Sequence, residues 1–293
     1  MSIAIIINPI AGGAGTEVAR RRAELAADVV AGRGEICEVF ITERHGHARE
    51  LAATAVRRGS RLVMAWGGDG TMNEVASALA FSDTPMGIVP AGSGNGLALE
   101  LGIPSDGAGA IVHAISTTPR RIDLGELDGR LFVNVAGIGF DAQVAARFNS
   151  PENRRRGFVG YVLVSIPLLV SYPTSHYRIC ANGVSVNTSA MLITIANGPQ
   201  FGNGARLATT ARFDDGELDM VVVEERSRLQ TLYQLPRLFY GGADRIAGCS
   251  FQRIRAATFE SDTAMRYHID GEPFVGGRRL EARIHPGALK VCA

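Results

Sequence analysis

Apolar and polar positions follow one rhythm in the first part of this chain and another after residue 121. In the first part, short apolar runs alternate with stretches whose apolar residues recur every three or four positions. Ile3 to Ile7, Glu35 to Ile41, Leu62 to Trp66 and Met86 to Val89 read as strands. Between them, a helix starts near Thr16 and carries Arg20, Arg21 and Arg22, and another over Ala48 to Arg58 groups Leu51, Ala52, Ala55 and Val56 on one face. Met72, Val75, Ala76 and Leu79 mark a third helix, and Leu97, Ala98 and Leu101 open a fourth. Strands alternating with helices predict a parallel sheet. Each predicted strand runs into a loop of Gly, Ser, Thr or Asn, and open α/β sheets bind ligands at those carboxyl ends.

Past Arg121 strand patterns dominate. Ile122 to Leu127 and Arg130 to Ala136 flank a turn at Asp128-Gly129. A helical stretch follows over roughly Phe140 to Ser171, with a break expected at Pro167. Further strands are predicted at His176 to Ala181, Met191 to Ala196, Glu217 to Val223, Phe251 to Glu260, Met265 to Ile269 and Leu280 to Ile284, interrupted by a helix over Leu229 to Tyr240. The expected architecture is an α/β domain over 1–121 and a β-rich domain, a sandwich, over 122–293, with the last residues free to return to the first domain.

Composition narrows the function classes. A length of 293 residues accommodates two domains, and 46% hydrophobic with 20% charged residues is ordinary for a soluble globular protein. A net charge of +1 lacks the basic excess of a nucleic-acid binder. Lys290 is the only lysine, so no Gly-x-x-x-x-Gly-Lys-Ser/Thr loop exists and the P-loop NTPases are excluded. Cys37, Cys180, Cys249 and Cys292 form no Cys-x-x-Cys pair, which argues against structural zinc and fits reduced thiols in a cytosol. No signal peptide is expected at Met1-Ser2-Ile3, and the apolar segment Phe158 to Tyr172 is too short for a transmembrane span.

The chemistry concentrates at Gly67-Gly68-Asp69-Gly70-Thr71-Met72-Asn73-Glu74, where a strand meets a helix through three glycines and one carboxylate. Glycines let backbone N–H groups approach an anion, and a helix N-terminus adds favourable partial charge. Among phosphates, Asp69 would hold Mg²⁺ or a magnesium-bound water; the plainer reading is a glycine turn. A second glycine loop, Ala11-Gly12-Gly13-Ala14-Gly15, follows the first strand, and Pro90-Ala91-Gly92-Ser93-Gly94-Asn95-Gly96 follows the fourth.

Taken in order, these motifs make the chain resemble the diacylglycerol kinase catalytic-domain superfamily: bacterial diacylglycerol and related lipid kinases, with sphingosine and ceramide kinases. The resemblance rests on Asn8-Pro9 with its glycines, Thr42 with Gly46-His47-Ala48, Gly67 to Glu74, Gly87 to Asn95, Asp123-Leu124-Gly125, Gly137-Ile138-Gly139-Phe140-Asp141-Ala142, Asp214 to Asp219, and Asp270-Gly271-Glu272. It implies a cytoplasmic enzyme, peripheral at the inner membrane surface, that transfers phosphate from ATP to a lipid hydroxyl, with a homodimer as one open arrangement. The nucleotide would lie between the two domains. Asn8, Pro9, Ile10, Ala11, Gly12, Thr42, Gly67, Gly68, Asp69, Gly70, Thr71, Met72, Asn73 and Ser93 are the implied ATP contacts. Asp69 is implied beside the catalytic Mg²⁺, Glu272 as general base, and Asp123 beside the substrate head group. Arg212, Asp215 and Glu217 are implied for a structural Mg²⁺, the first and last through main-chain carbonyls.

Local readings stay open beside these. Asp123 also suits a turn or cap, Asp141 a helix cap, Asp214-Asp215 a hairpin turn, and Glu272 a surface hairpin. Arg154, Arg155 and Arg156 before Phe158 to Val170 suit an anionic bilayer or a solvated turn. Gly96 stands where many bacterial members carry Asp, and Ala91-Gly92-Ser93-Gly94-Asn95 is closer to sphingosine-kinase-like members. An NAD kinase, which shares Gly-Gly-Asp-Gly-Thr, and a non-catalytic lipid- or nucleotide-binding regulator are the alternatives.

Overall fold

The computed structural model describes residues 2–13, 15–150, 152–153, 157–200, 207–224 and 248–293. It divides into two compact units, Met1–Ile122 with Gly287–Ala293, and Asp123–Pro286.

In the first unit the chain runs β1 (Ser2–Ile7), α1 (Thr16–Ala31), β2 (Ile36–Ile41), α2 (His47–Arg57), β3 (Leu62–Gly67), α3 (Asp69–Leu79), β4 (Met86–Pro90), α4 (Gly96–Glu100) and α5 (Gly107–Ser116). The strands are parallel in the order β4-β3-β1-β2. Five successive residues of β1 and all six of β3 are buried, so both faces of the sheet are covered. Burying a side chain such as Ile5 or Met64 completely is worth about 1.5–3 kcal/mol. The chain's end returns here, with Val291 beside Met86 and the Cys292 N–H donating to the Met86 carbonyl at 2.9 Å.

No sequence pattern announced α5, whose Gly107-Ala108-Gly109-Ala110 start reads as a loop. Its start is fixed by Asp106, whose carboxylate accepts the Gly109 N–H at 2.6 Å, and by close packing against Trp66, where a Cβ on Gly107 would stand 2.6 Å from the ring.

The second unit takes up the chain within β5 (Arg120–Leu127) and continues through β6 (Arg130–Phe132), β7 (Val135–Gly139), α6 (Phe140–Phe148), α7 (Gly157–Ser171), β8 (Ser175–Ala181), β9 (Val184–Ala196), β10 (Leu218–Glu224), β11 (Cys249–Ile254), β12 (Ala256–Glu260), β13 (Arg266–Ile269), β14 (Glu272–Val275) and β15 (Arg279–Val291). The 13-residue β9 joins two layers. Its first half pairs with β8, which continues to β12 and β15; its second half pairs with β7 on one side and β10 on the other. Phe132, Ile138, Tyr177, Ile193, Phe259, Tyr267 and Leu280 fill the sandwich core.

Two strands are longer than the sequence reading, β9 starting at Val184 instead of Met191 and β15 running to Val291 instead of Ile284, and three stretches read as continuous are divided. The strand expected over Arg130 to Ala136 is two, because the N–H groups of Val133, Asn134 and Val135 all turn to the Asp270 carboxylate at 2.8–2.9 Å. The helical stretch is interrupted after Phe148, and Pro167 lies inside α7 without ending it. The strand over Phe251 to Glu260 divides at Arg255, where β11 leaves its partner β10 and β12 joins β8. The helix expected over Leu229 to Tyr240 and the triplet Arg154 to Arg156 fall outside the described residues. Among the described residues no helix is long and apolar enough to cross a membrane.

Candidate active site

All four parallel strands of the first unit point their carboxyl ends the same way, so the loops after β1, β2, β3 and β4 share one edge. The strand order reverses direction between β1 and β3, the place where open α/β sheets form a ligand crevice. Asn8 bridges it. Its Nδ2 donates to Thr71 Oγ1 at 3.0 Å, while its side-chain Oδ1 accepts the Ile10 N–H at 3.1 Å. Arg22 reaches from α1 to donate to the Asn8 and Ala11 carbonyls at 3.4 and 3.3 Å, 5.9 Å above the Trp66 ring. Burial pushes its guanidinium pKa down from the ordinary value. Sequence periodicity marked Arg22 only as part of a basic helix.

Asp69 opens α3 and fastens the next loop. Its two carboxylate oxygens accept the N–H groups of Asn95 at 3.1 Å and Gly96 at 3.0 Å. Asn95, in left-handed backbone, locks the same loop by exchanging two hydrogen bonds with Gly92. Gly68 and Gly92 meet backbone to backbone: a Cβ on Gly92 would stand 2.7 Å from the Gly68 Cα, so Gly92 takes no side chain without moving a loop, and a Cβ on Gly68 would stand a tight 3.3 Å from the Gly92 Cα. Two of the glycines read as phosphate contacts thus also serve loop packing, since Gly67 is closed off by the Thr71 side chain. Gly13, Gly15 and Gly70 face open space.

Helix ends separate into two kinds. Glu74 accepts the Gly46 and Ala48 N–H groups at 2.9 and 3.0 Å and so satisfies the start of α2, and Asp69 does the same for α4. The glycine caps of α1 and α3, Gly15 and Gly68, supply no side-chain hydrogen bond. Glycine-capped helix starts of this kind are where backbone N–H groups can meet an anion. Ile10, Gly12, Gly70 and Ser93 are exposed, Pro9 and Asn73 half-buried, and Ala11, Thr42, Thr71 and Met72 buried; a nucleotide would meet Met72 through its main chain. Thr42 donates its N–H to the Ile7 carbonyl at 2.9 Å, and His47 Nδ1 accepts the Glu43 N–H at 3.1 Å.

Asp69 accepts the two loop N–H groups through separate carboxylate oxygens, and carboxylate oxygens are the ligands that a hard cation prefers. That donor set is compatible with a hard cation or its water beside the glycine loops. Gly96, which adds no carboxylate to the site, contributes a backbone N–H to Asp69.

In the second unit, buried Asp123 holds the turn after Phe213. Its carboxylate accepts the Gly216 N–H at 2.7 Å, its N–H donates to the Phe213 carbonyl at 2.6 Å, and its carbonyl accepts from Asn197 Nδ2 at 2.9 Å. Asp215 Oδ1 accepts the Glu217 N–H at 3.2 Å, while its Oδ2 is enclosed without a hydrogen-bond donor. The Arg253 guanidinium stands 3.8 Å from that oxygen and 3.7 Å from Glu217, and Arg212 is exposed. An enclosed carboxylate oxygen suits a cation, but among the described residues no three His, Cys, Asp or Glu side chains converge on a metal position. Main-chain carbonyls would have to complete such a site.

Glu272 begins β14, directly after a turn in which Asp270 and Gly271 both have positive φ. Asp141 lies in the first turn of α6, but the N-cap is Gly139; one Asp141 oxygen faces His268.

Two family models match the chain, the diacylglycerol kinase catalytic domain over residues 2–127 and the YegS C-terminal NAD kinase beta sandwich-like domain over residues 134–293. A Pseudomonas aeruginosa protein named probable lipid kinase YegS-like is 34% identical over 275 residues, covering 92% of this chain and 88% of its own. A Chromohalobacter salexigens protein of the same name is 32% identical over 264 residues, covering 89% and 85%. A solved diacylglycerol-kinase-like structure from Bacillus anthracis superposes with a TM-score of 0.82 at 21% identity, covering 99% of this chain and 94% of its own; at that identity it speaks for the fold.

Proposed function

The chain belongs to the family built on the diacylglycerol kinase catalytic domain, and from that premise we propose that it transfers the γ-phosphoryl group of ATP to the hydroxyl of diacylglycerol or a related lipid. The observation that carries the reading is the shared edge of the loops after β1, β3 and β4. There two glycine-capped helix starts open beside a carboxylate that ties two of the loops together. Phosphoryl transfer asks the protein mainly for positioning and charge neutralisation. Backbone donors near Gly13, Gly15 and Gly70 would bind the phosphates, and Asn8 and Thr42 would shape the nucleotide's surroundings. Asp69 would hold magnesium directly or through water, and the ion would neutralise charge on the phosphates. Glu272 would take the proton of the lipid hydroxyl, and Asp123 would order the head-group side through the turn it holds. Asp215, with main-chain carbonyls of Arg212 and Glu217, would hold a second, structural magnesium.

The test is incubation with ATP and magnesium against diacylglycerol, monoacylglycerol, sphingosine and phosphatidylglycerol, with NAD as a competing acceptor. Labelled phospholipid is the expected product. Phosphorylation of NAD alone would replace the lipid reading with an NAD kinase. Tight ATP binding without ADP release on any acceptor would make the chain a nucleotide-binding regulator.

The proposed substrate places the enzyme at a membrane surface. Supporting this, α7 packs Val164, Leu168 and Leu169 with α6, whereas Leu163 and Ile166, three positions apart, are 44% and 36% exposed. The sequence adds Arg154 to Arg156 just before this helix, and arginines near an anionic surface are worth roughly 1 kcal/mol each. Vesicle sedimentation should therefore rise with phosphatidylglycerol content and fall with salt. Binding indifferent to both variables would remove the basic triplet from the account.

A further inference from the structure

His268 and Asp141 are each only 3% exposed, come from β13 and α6, and are 127 positions apart in sequence, yet His268 Nε2 lies 3.3 Å from Asp141 Oδ2. The other ring nitrogen, Nδ1, accepts the Gly271 N–H at 3.2 Å. A nitrogen that accepts carries no proton, so the ring's proton sits on Nε2 and is donated to Asp141. Space for the pair is provided by Gly137 on β7: a Cβ there would overlap the Asp141 carboxylate and stand 2.6 Å from His268 Nε2.

Both ends of the turn after His268 are also held. Asp270 accepts three backbone N–H groups from residues 133–135, and the Gly271 carbonyl accepts Asn149 Nδ2 at 2.9 Å from the end of α6. The residue that leaves this turn is Glu272, and Pro273 after it restricts Glu272 to extended backbone. A surface hairpin needs none of this, since two-residue turns with positive φ close without side-chain support.

We infer that Asp141 and His268 are positioning residues for the phosphoryl-transfer step: Asp141 selects the His268 tautomer whose Nδ1 grips Gly271, and that grip fixes the direction in which Glu272 leaves the turn. The inference rests on the general-base role proposed for Glu272. Asp141 and His268 act through the turn and leave nucleotide binding alone.

The experiment compares His268→Asn, His268→Gln, Glu272→Gln and the double variant His268→Gln/Glu272→Gln, with ATP and vesicles carrying the four lipids above. It reads kcat, KM for ATP and melting temperature. Asn places its side-chain oxygen where Nδ1 lies, whereas Gln reaches only the Nε2 position. His268→Gln should lower kcat about 10- to 100-fold, the scale of a misplaced catalytic group, with KM for ATP within about twofold. His268→Asn should recover most of that loss, and His268→Gln should add nothing to Glu272→Gln, because residues acting as one unit are not additive. If His268→Gln does not fold, Asp141→Asn carries the test. Its amide can donate to Nε2, which drives the proton onto Nδ1 against Gly271, and a kcat loss of about tenfold is expected. Unchanged kcat in the folded variants, equal loss in His268→Asn and His268→Gln, or losses that multiply with Glu272→Gln would overturn the positioning role while leaving the general base standing. Unchanged kcat in Glu272→Gln would sink the general base itself, and the aim inferred for it.

Discussion

Asp69→Asn should lower lipid phosphorylation by at least about a thousandfold, the equivalent of several kcal/mol of charge stabilisation at the transferring phosphate. The structure adds a second expectation. Both Asp69 oxygens accept backbone N–H groups, from Asn95 and Gly96, so an asparagine must turn its NH₂ toward one of them. A donor then faces a donor, and a charge-assisted bond worth roughly 1.5–3 kcal/mol is lost. The variant should therefore melt at lower temperature while remaining folded, and the loop after β4 should loosen. The two effects separate experimentally. Loop loosening weakens ATP binding and is partly offset by saturating ATP, whereas loss of the carboxylate charge persists at saturation. A variant with near-normal kcat at saturating ATP and magnesium would reduce Asp69 to a staple between two loops.

Glu272→Gln is expected to leave ATP affinity within a few-fold and to cut kcat by about two to four orders of magnitude, the range of general acid–base catalysis. Glutamine keeps the size and extended backbone of Glu272 and removes only the proton acceptor. The turn before it, held through Asp270, Gly271 and His268, does not depend on the substituted atom, so the melting temperature should move little. Nucleotide binding and lipid phosphorylation measured on the same preparation decide the outcome. Lost ATP binding would make Glu272 a magnesium or structural residue, and unchanged turnover would leave it in an ordinary hairpin.

The α/β character of the first unit was legible because a parallel sheet covered on both faces must be built from continuous apolar runs. Ile3 to Ile7 and Leu62 to Trp66 are such runs, and helical spacing between them leaves few other arrangements. The carboxyl-end loops were legible for a related reason, since Gly67-Gly68-Asp69-Gly70 and Pro90 to Gly96 break periodic patterns where chain direction must change. Elements whose stability comes from elsewhere in the chain were not. Helix α5 begins with Gly107-Ala108-Gly109 and owes its place to Asp106 and Trp66, and β14 is four residues long, contains Pro273 and, among the described residues, is paired by β13 alone.

By itself, the sequence determined which residue types meet at each loop: the glycines, the single carboxylate of the third strand's loop, and the family order of the motifs. Only the tertiary structure decided what those side chains touch. It assigned Gly67 and Gly68 to packing and left Gly70 open, gave Asp69 two backbone donors 26 and 27 positions away, and set Asp141 against His268 across 127 positions. Propensity and periodicity act over a few residues, whereas a buried hydrogen bond is selected by the whole fold, which must supply a partner for every polar group it takes out of water.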